Sequence, residues 1–358
     1  MKMKIIFILP FSSKSASSIR LLQLSKEFKE KRILAPKVDQ FGNKTTEQEI
    51  IKLKRKYYGL SMVFPILKIL EKENPDVIIY TKPTIFGVFA SLIYKIKNRK
   101  VKIIADYDEY EPATSYSNNA GLSKLIKPMI HFLIHRISNK IADAFVIANK
   151  NILKFIPSNK PYIYLPNAAS PNIIKPAKKV NKNKKTLFSI FYFGNIRKNK
   201  QIIELLKLSE VLPYRFVFVG KIFDESLPKK FPKVKFLGSY TLKEMSAIAS
   251  QADILLAFFE PTPGNTYASN MKVFDYMCLQ KPIIVSDTGE LKKYIHYPKG
   301  GYLARNKEEL KKVIEYIRTH YKEAMKKARY ARKLAETVES WYARRKKFKK
   351  FVEKILKS

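Results

Sequence analysis

Short apolar runs alternate with longer stretches of helical periodicity along most of the chain. A short apolar run bounded by polar residues is typical of a strand buried in a parallel sheet, and apolar residues at every third or fourth position indicate a helix packed on it. In the first half, strands are predicted at Lys4–Leu9, Val77–Tyr80, Val101–Ala105, Ala144–Ala148 and Tyr162–Leu165. Helices are predicted at Ile19–Glu30, Tyr57–Lys72, Ile85–Ile96 and Leu122–Lys140. The pattern predicts a wound α/β domain.

The same alternation begins again after a segment rich in proline and lysine. Pro166–Pro171, followed by Pro176 and the basic run Lys178–Lys185, indicates a linker. Beyond it, strands are predicted at Thr186–Phe193, Arg215–Val219, Val234–Leu237, Ile254–Phe259 and Ile283–Ser286, and helices at Lys200–Ser209, Lys243–Ser250 and from Lys307 onward. We therefore predict two α/β domains, residues 1–175 and 176–335, followed by a C-terminal segment, residues 336–358.

Length and composition are those of a folded, two-domain protein. The 358 residues, 46% of them hydrophobic, suffice for two cores of ordinary size. The single cysteine, Cys278, excludes an internal disulfide and favours a reducing compartment such as the cytoplasm. Because no apolar run approaches the roughly 18 residues of a membrane span, we predict that the chain does not cross a membrane.

The charge balance is strongly basic, with 70 Lys and Arg against 30 Asp and Glu, a formal net charge of +40. Such a charge attracts nucleic acid, anionic lipid headgroups and phosphorylated substrates, although lysines scattered over a solvated surface would produce the same total. The chain contains no recognised nucleic-acid-binding module, so nucleic acid is not an expected partner. The basic, apolar-faced helix Leu122–Lys140 keeps an anionic membrane surface open as a partner.

The most informative candidate chemistry follows the strand Ile254–Phe259. The loop Glu260–Asn270 is rich in turn-forming and helix-capping residues, and a short helix is predicted after it. Lys272 falls in the first turn of that helix, where the helix dipole disfavours a cation unless an anion is bound nearby. Asp275 is three residues further on and shares its face. Two interpretations are open: a surface Lys–Asp pair, or a site for an anionic ligand.

The residues around this pair resemble a known family. Ser269–Met277, SNMKVFDYM, followed by Lys281–Asp287, KPIIVSD, is similar to the "sPxKlfEYmaxGkPvias" segment of the retaining group 1 (family 4) glycosyltransferases. Further similarity to that family lies at His131–Ala148, Tyr164–Pro171, Phe191–Lys200 and Val234–Asp253. The resemblance implies two facing Rossmann-like domains, the GT-B fold, with a C-terminal helix around Trp341 crossing back to the first domain.

The resemblance also implies a function. A family member of this kind is a cytoplasmic enzyme that moves a sugar from a nucleotide-diphosphate sugar to a hydroxyl of a glycan or lipid-linked acceptor, with retention of configuration. Members of the family generally need no metal for that step, and no other cofactor is expected. A peripheral location on the inner face of the membrane is an expectation from the basic helix Leu122–Lys140. The residues implied for donor binding are Gly194, Asn195, Arg197, Lys200, Gly220, Lys272 and Asp275.

Several positions depart from the family pattern. Asn195 stands where an arginine is usual, so Arg197 or Lys200 is expected to supply the cation of the diphosphate site. The first of two family glutamates falls on Tyr267, and Glu260 is a candidate substitute. Gln280 stands where a glycine is usual. These departures keep a catalytically silent, glycosyltransferase-like binding protein open as an alternative.

The first domain contains a dense acidic segment. Asp106–Glu111, DYDEYE, places four carboxylates directly after the strand Val101–Ala105. They could orient or deprotonate an acceptor, or simply favour the N-terminus of a helix. The resemblance places the acceptor side here, and the catalytic candidates are Asp108 and Glu109. The serines of Ser12–Ser18 are expected chiefly to cap a helix.

Two histidines in the same domain, His131 and His135, have the spacing of a zinc pair on one helix face. We expect them to pack in the core instead, because their neighbours are apolar and no acidic partner lies beside them.

Overall fold

The computed structural model describes residues 3–39, 42–53, 59–176, 187–197 and 200–357. By contact, the chain divides into unit one, made of Met1–Asn167, Thr262–Ser269 and Trp341–Ser358, and unit two, made of Ala168–Pro261 and Asn270–Ser340. This division differs from the predicted limits at residues 168–175, 262–269 and 336–340; the limits themselves stay a prediction. The predicted linker at Lys178–Lys185 lies outside the described residues.

Unit one is built on a parallel sheet of seven strands. The strands are β1 (Ile5–Ile8), β2 (Lys31–Pro36), β3 (Ile50–Leu53), β4 (Val77–Thr81), β5 (Lys102–Tyr107), β6 (Ala144–Ile147) and β7 (Tyr162–Tyr164). Their order is β3-β2-β1-β4-β5-β6-β7, so the winding reverses between β1 and β4. Ile5 pairs with Lys31 on one side and with Val77 on the other. Central strands such as β1 are wholly apolar because helices cover both faces of a parallel sheet.

The helices of unit one connect and cover these strands. They are α1 (Ala16–Ser25), α2 (Val63–Glu73), α3 (Ile85–Lys97), α4 (Glu111–Asn118), α5 (Ser123–Ile141), α9 (Pro263–Tyr267) and α14 (Trp341–Lys357), with 3₁₀ turns at Leu60–Met62 and Lys150–Phe155. The last helix, α14, buries one side chain per turn or so, from Trp341 to Ile355. Its Phe348 meets Phe28, just beyond α1, with ring centroids 5.8 Å apart. The predicted return of the C-terminal helix to the first domain is confirmed.

Unit two repeats the design with six parallel strands. They are β8 (Ser189–Phe193), β9 (Arg215–Val219), β10 (Val234–Phe236), β11 (Ile254–Ala257), β12 (Ile283–Ser286) and β13 (Tyr302–Ala304), in the order β10-β9-β8-β11-β12-β13. The helices are α6 (Lys200–Val211), α7 (Ser226–Lys230), α8 (Leu242–Ala249), α10 (Met271–Met277), α11 (Leu291–Tyr294), α12 (Lys307–Thr319) and α13 (Tyr321–Glu336). The predicted architecture of two Rossmann-like units is confirmed. In the described part of the chain, no helix is long and apolar enough to span a bilayer.

Candidate functional site

In unit one the acidic segment begins inside β5 and continues past its end, at the carboxyl edge of the sheet, where ligands of α/β proteins bind. Its first carboxylate, Asp106, is wholly buried inside the strand. Arg20 of α1 donates to it from Nε at 3.0 Å and from Nη2 at 2.9 Å, and the same Nη2 donates to the carbonyl of Leu165 at 2.7 Å. Because both partners of this ion pair are completely covered, Asp106 ties α1 to the sheet and is not available to a substrate.

The catalytic candidate Asp108 is buried but incompletely paired. Ser17 donates a hydrogen bond of 2.5 Å to Oδ2, while Oδ1 is buried without a hydrogen-bond partner. Burial raises the pKa of Asp108 to about 7, although the nearby Lys82 opposes the shift. A carboxyl group of this kind can accept a proton near neutral pH. Ser17 was expected to be one of the capping serines; the N-cap of α1 is Ser15, which accepts from the amide of Ser18.

Lys82 organises the acidic segment. Its ammonium contacts Glu109, the second catalytic candidate, and lies 3.8 Å from a carboxylate oxygen of both Asp108 and Glu111. Burial lowers its pKa, but the three carboxylates outweigh burial and raise the pKa above its usual value, so the side chain stays charged. Lys82 follows β4 directly and has a left-handed φ of 58°. The sequence does carry a signal for this cluster, a lysine directly after the strand that pairs with β5.

His135 corrects the expectation about the two histidines. Its Nε2 lies 2.5 Å from Oε2 of Glu111, and its ring packs against Tyr107, with centroids 4.7 Å apart. The predicted lack of an acidic partner is therefore wrong for His135. Glu111 opens α4, 24 residues earlier in the chain, and reaches the histidine only because α4 packs on α5. Burial raises the pKa of Glu111, but the hydrogen bond and charge of His135, together with Lys82, lower it overall.

In unit two, two glycine turns lie side by side at the ends of β8 and β9. Gly194 and Gly220 both have φ of 143°, a conformation that favours glycine. The amide of Gly194 donates to the carbonyl of Val219 at 2.9 Å. A Cβ atom added to Gly220 would lie 2.0 Å from the carbonyl oxygen of Gly194, so no other residue fits there. The two predicted glycines therefore form one continuous backbone surface.

Lys272 lies beside this surface, in the first turn of α10. Its Nζ is 3.9 Å from the ring centroid of Tyr192 and 4.9 Å from that of Phe259. A Cβ on Gly194 would approach Nζ to 2.8 Å. Within the described residues Lys272 forms no ion pair, with Asp275 or with any other carboxylate, and burial lowers its pKa to about 7. The surface-pair interpretation is therefore wrong, because this half-buried cation has no counter-ion among the described residues.

The rest of α10 extends the polar surroundings of Lys272. Asp275 is buried, and burial raises its pKa to about 7. The side-chain amide nitrogen of Asn270, which precedes the helix, is a buried donor with no hydrogen-bond partner in the described structure. Gln280 has a left-handed φ of 53°, which explains why the family pattern favours glycine at this position.

The other predicted donor residues lie around the turn after β8. Asn195 is exposed, and the guanidinium of Arg197 stacks over Phe223, 4.0 Å from its centroid. Lys200 is the first residue of α6, and its side chain is outside the described residues, as are Lys198 and Asn199. No cluster of three or more metal-ligating side chains occurs in the part of the chain that the structure describes. The role of each residue at this turn stays a prediction.

Comparison with known proteins finds a family match within residues 188–321. Residues 188–321 match the family model described as "Glycosyl transferases group 1". Over these residues the chain is similar to the group 1 glycosyltransferases, and we call residues 188–321 the group 1 domain after this match. Gly194, Gly220, Lys272 and Asp275 all lie within it, and the predicted resemblance to group 1 glycosyltransferases is confirmed. Among proteins of curated function, none matches the chain at a significant level.

The whole chain shares its fold with solved glycosyltransferase structures at low sequence identity. Sucrose-phosphate synthase from Thermosynechococcus elongatus superposes with a TM-score of 0.78 at 13% identity, covering 98% of this chain and 99% of that one. HepE from Anabaena, in complex with UDP-glucose, has a TM-score of 0.75 at 14% identity over 98% and 99% of the two chains. A glycosyltransferase from Rickettsia africae has a TM-score of 0.73 at 14% identity over the full length of both. The predicted GT-B fold is confirmed.

Proposed function

We propose that this protein transfers a sugar from a nucleotide-diphosphate sugar, bound by the group 1 domain, to a hydroxyl of a glycan or lipid-linked acceptor. The observation that carries the proposal is Lys272. A desolvated ammonium without a counter-ion costs free energy, and an anionic ligand at the same position removes that cost. The diphosphate of a nucleotide sugar supplies such an anion, beside two glycine turns that admit close approach of its oxygens.

The chemistry assigned to this surface is stabilisation of the leaving group. As the bond between the sugar and the diphosphate breaks, negative charge develops on the departing phosphate oxygen. Lys272 neutralises it from a half-buried position, where electrostatic stabilisation is stronger than in bulk water. Asp275 accepts a hydrogen bond from a hydroxyl of the donor. Arg197 and Lys200 add cationic charge at the turn that follows β8.

In unit one we assign the acceptor to the acidic segment. The acceptor hydroxyl loses a proton as its oxygen forms the new bond to the sugar, and Asp108 receives that proton. Lys82 and Ser17 hold the carboxylate in position, and Glu109 completes the cluster through its contact with Lys82. The proposed reaction retains the configuration of the sugar and uses no metal. Both points rest on the family resemblance.

Uridine nucleotides are the first donors to examine. HepE, which shares the fold, has been solved with UDP and with UDP-glucose. Titration calorimetry with UDP, UDP-glucose and other nucleotide sugars should show saturable binding to the full chain. The anomeric configuration of the product, followed by NMR, then tests retention. The absence of binding to any nucleotide sugar at millimolar concentration would contradict the proposal.

One specific observation favours a second candidate, the catalytically silent binding protein. The position of the missing family glutamate, Tyr267, packs edge-on against Tyr110 and Phe155 of unit one, with centroids 5.8 Å and 5.1 Å away. At this position the chain therefore has an aromatic contact in place of the carboxylate of the family pattern. Donor binding without transfer, and without hydrolysis of the donor, would establish this candidate in place of the enzyme.

A further inference from the structure

The N-terminal half of α5 is unusual in burying none of its side chains. The C-terminal half buries Ile134, His135, Ser138 and Ile141. From Leu122 to Leu133, in contrast, every residue is exposed or half-buried. A helix that only faces water would present polar residues along this stretch. Here the stretch is predominantly apolar.

The exposed apolar side chains of this half helix form the largest concentration of their kind in the described residues. Seven of the 22 exposed large hydrophobic residues fall within twelve consecutive positions, with exposures from 41% to 71%. They are Leu122, Leu125, Ile126, Met129, Ile130, Phe132 and Leu133. Single exposed apolar residues are normal, but a contiguous group marks a surface that another molecule covers. We call these seven residues the α5 face.

The charges around the α5 face narrow the choice of that molecule. The helix carries Lys124, Lys127, Arg136 and Lys140 and contains neither Asp nor Glu. A second copy would bring the same four cations against them, in a chain whose net charge is already +40, and the copies would repel one another. Nucleic acid would neutralise the cations but would leave the seven apolar side chains uncovered. An anionic lipid surface satisfies both, because its headgroups neutralise cations and its acyl boundary covers apolar side chains.

We propose that the α5 face lies on a bilayer containing anionic phospholipid, with the helix axis in the plane of the interface. The apolar side chains enter the boundary between headgroups and acyl chains, to a depth of about 5–10 Å. Lys127, Arg136 and Lys140 are exposed and contact the headgroup phosphates. Docking of this kind is peripheral, since the helix of 19 residues carries four cationic side chains and does not cross the membrane.

The opposite side of α5 contacts the acidic cluster of unit one, so docking would place that cluster close to the membrane. His135 of α5 contacts Glu111, whose other carboxylate oxygen lies 3.8 Å from Lys82. The acidic cluster therefore packs directly beneath the membrane-docking helix. This consequence rests on the proposed function: an acceptor hydroxyl carried by a membrane lipid would reach Asp108 from the surface on which α5 lies.

The test is co-flotation of the full chain with vesicles of phosphatidylcholine alone or with a third of phosphatidylglycerol. The apolar variant L125S/M129S/L133S removes three exposed residues in one row along the helix. Its matched control, L187S/V211S/V338S, removes three apolar residues that are equally exposed elsewhere. The charge variant K127Q/R136Q/K140Q is matched by K229Q/K326Q/R329Q, which removes three exposed cations from unit two.

We expect the parent and both controls to float with anionic vesicles and the apolar variant to partition at least about tenfold less. Loss of three cations near the surface should weaken partitioning by about a hundredfold, and the charge variant should no longer discriminate between the two vesicle types. Equal flotation of the parent and the apolar variant would overturn the proposal. The proposal would also be overturned if the parent self-associated, or bound nucleic acid selectively, and the apolar variant did not.

Calorimetry with a nucleotide sugar on the same preparations separates this proposal from the proposed function. The α5 variants should bind the donor as the parent does, since all seven residues of the α5 face lie outside the group 1 domain. Flotation with no donor binding would contradict the glycosyltransferase function and leave membrane docking standing. Donor binding without flotation would contradict membrane docking and leave the glycosyltransferase function standing.

Discussion

The two units bury charge at the carboxyl edges of their sheets in opposite ways. In unit one, Arg20 is matched to Asp106, and Lys82 is matched to several carboxylates. In unit two, Lys272 has aromatic rings and a glycine turn beside it and no counter-ion among the described residues. A buried cation is stable when the protein supplies its partner, and we propose that the partner of the half-buried, unmatched Lys272 is a ligand. Under the proposed function, the contrast separates the charges that hold the fold from the one that binds the donor.

The largest loss of stability is expected for the fully buried ion pair of Arg20 and Asp106. Arg20→Met removes one partner of a fully buried ion pair and leaves the Asp106 carboxylate uncompensated, so unit one should lose about 3–5 kcal/mol of unfolding free energy. Denaturation in urea can be followed through the fluorescence of Trp341, the only tryptophan, which is buried in unit one. The control is Arg32→Met, since Arg32 is 58% exposed beside Glu73 and should cost at most about 1 kcal/mol. Equal losses from the two variants would mean that the buried pair has no special role.

The second largest effect concerns Asp108. Asp108→Asn keeps the shape of the side chain and an acceptor for Ser17 but cannot receive a proton, so turnover should fall by about a hundredfold or more. The affinity for the donor nucleotide should change little. Steady-state kinetics with a varied donor distinguishes the two parameters. Asp76→Asn, at the amino end of β4, serves as the control, and a loss of nucleotide affinity in Asp108→Asn would place this residue on the donor side instead.

Lys272 tests the unmatched charge directly. Lys272→Ala should weaken binding of a nucleotide sugar by roughly ten- to a hundredfold, which corresponds to the loss of a charge-assisted hydrogen bond of about 1.5–3 kcal/mol. Without ligand, Lys272→Met should leave the stability of the protein unchanged or raise it, in contrast to Arg20→Met. The matched control is Lys243→Ala, an exposed lysine at the same position of the first turn of α8.

The companion variant Asp275→Asn should also weaken donor binding. If Lys272→Ala and Asp275→Asn both bind nucleotide sugar as tightly as the parent, the assignment of the donor site is wrong even though the fold is right.

The smallest effect is a pH dependence of opposite sign in the two units. Burial lowers the pKa of Lys272 to about 7, and an anion favours its protonated form, so donor affinity should fall, by about tenfold or less, between pH 6 and pH 8. Burial raises the pKa of Asp108 to about 7, and proton acceptance requires its ionised form, so turnover should rise over the same range. Calorimetry should detect proton uptake on donor binding near pH 7. Affinity that rises with pH would contradict the role of Lys272.

The elements predicted from the sequence were those with strong periodicity or continuous apolar runs. β1, β4 and β12 are such runs, and each pairs on both sides. Three strands were missed, β2, β3 and β13. β2 begins with Lys31 and Arg32 and ends in Pro36, while β3 and β13 are short and lie at the two sheet edges. Edge strands are covered less completely than central ones, so their sequences are less apolar and carry a weaker signal.

The residues of the candidate site likewise fall into those that local sequence predicts and those that depend on contacts between distant segments. The predicted roles of Gly194, Gly220, Lys272 and Asp275 came from one contiguous region and from the family pattern, and they stay predictions until binding is measured. The partners of Asp108 and Glu109 could not be predicted in this way. Ser17 lies 91 residues from Asp108, and Lys82 lies 27 residues from Glu109.

The sequence by itself determined the two α/β units, the group 1 domain and the placement of a lysine at the start of α10, because local periodicity and short motifs are properties of neighbouring residues. Only the tertiary structure decided which charges are matched. Lys82 gains its carboxylates through the pairing of β4 with β5, and His135 gains Glu111 through the packing of α4 on α5. Among the residues that the structure describes, Lys272 remains unmatched because its neighbours in space are two aromatic rings and a glycine turn. Desolvation and distance set these energies, and both arise only when segments far apart in the chain pack together.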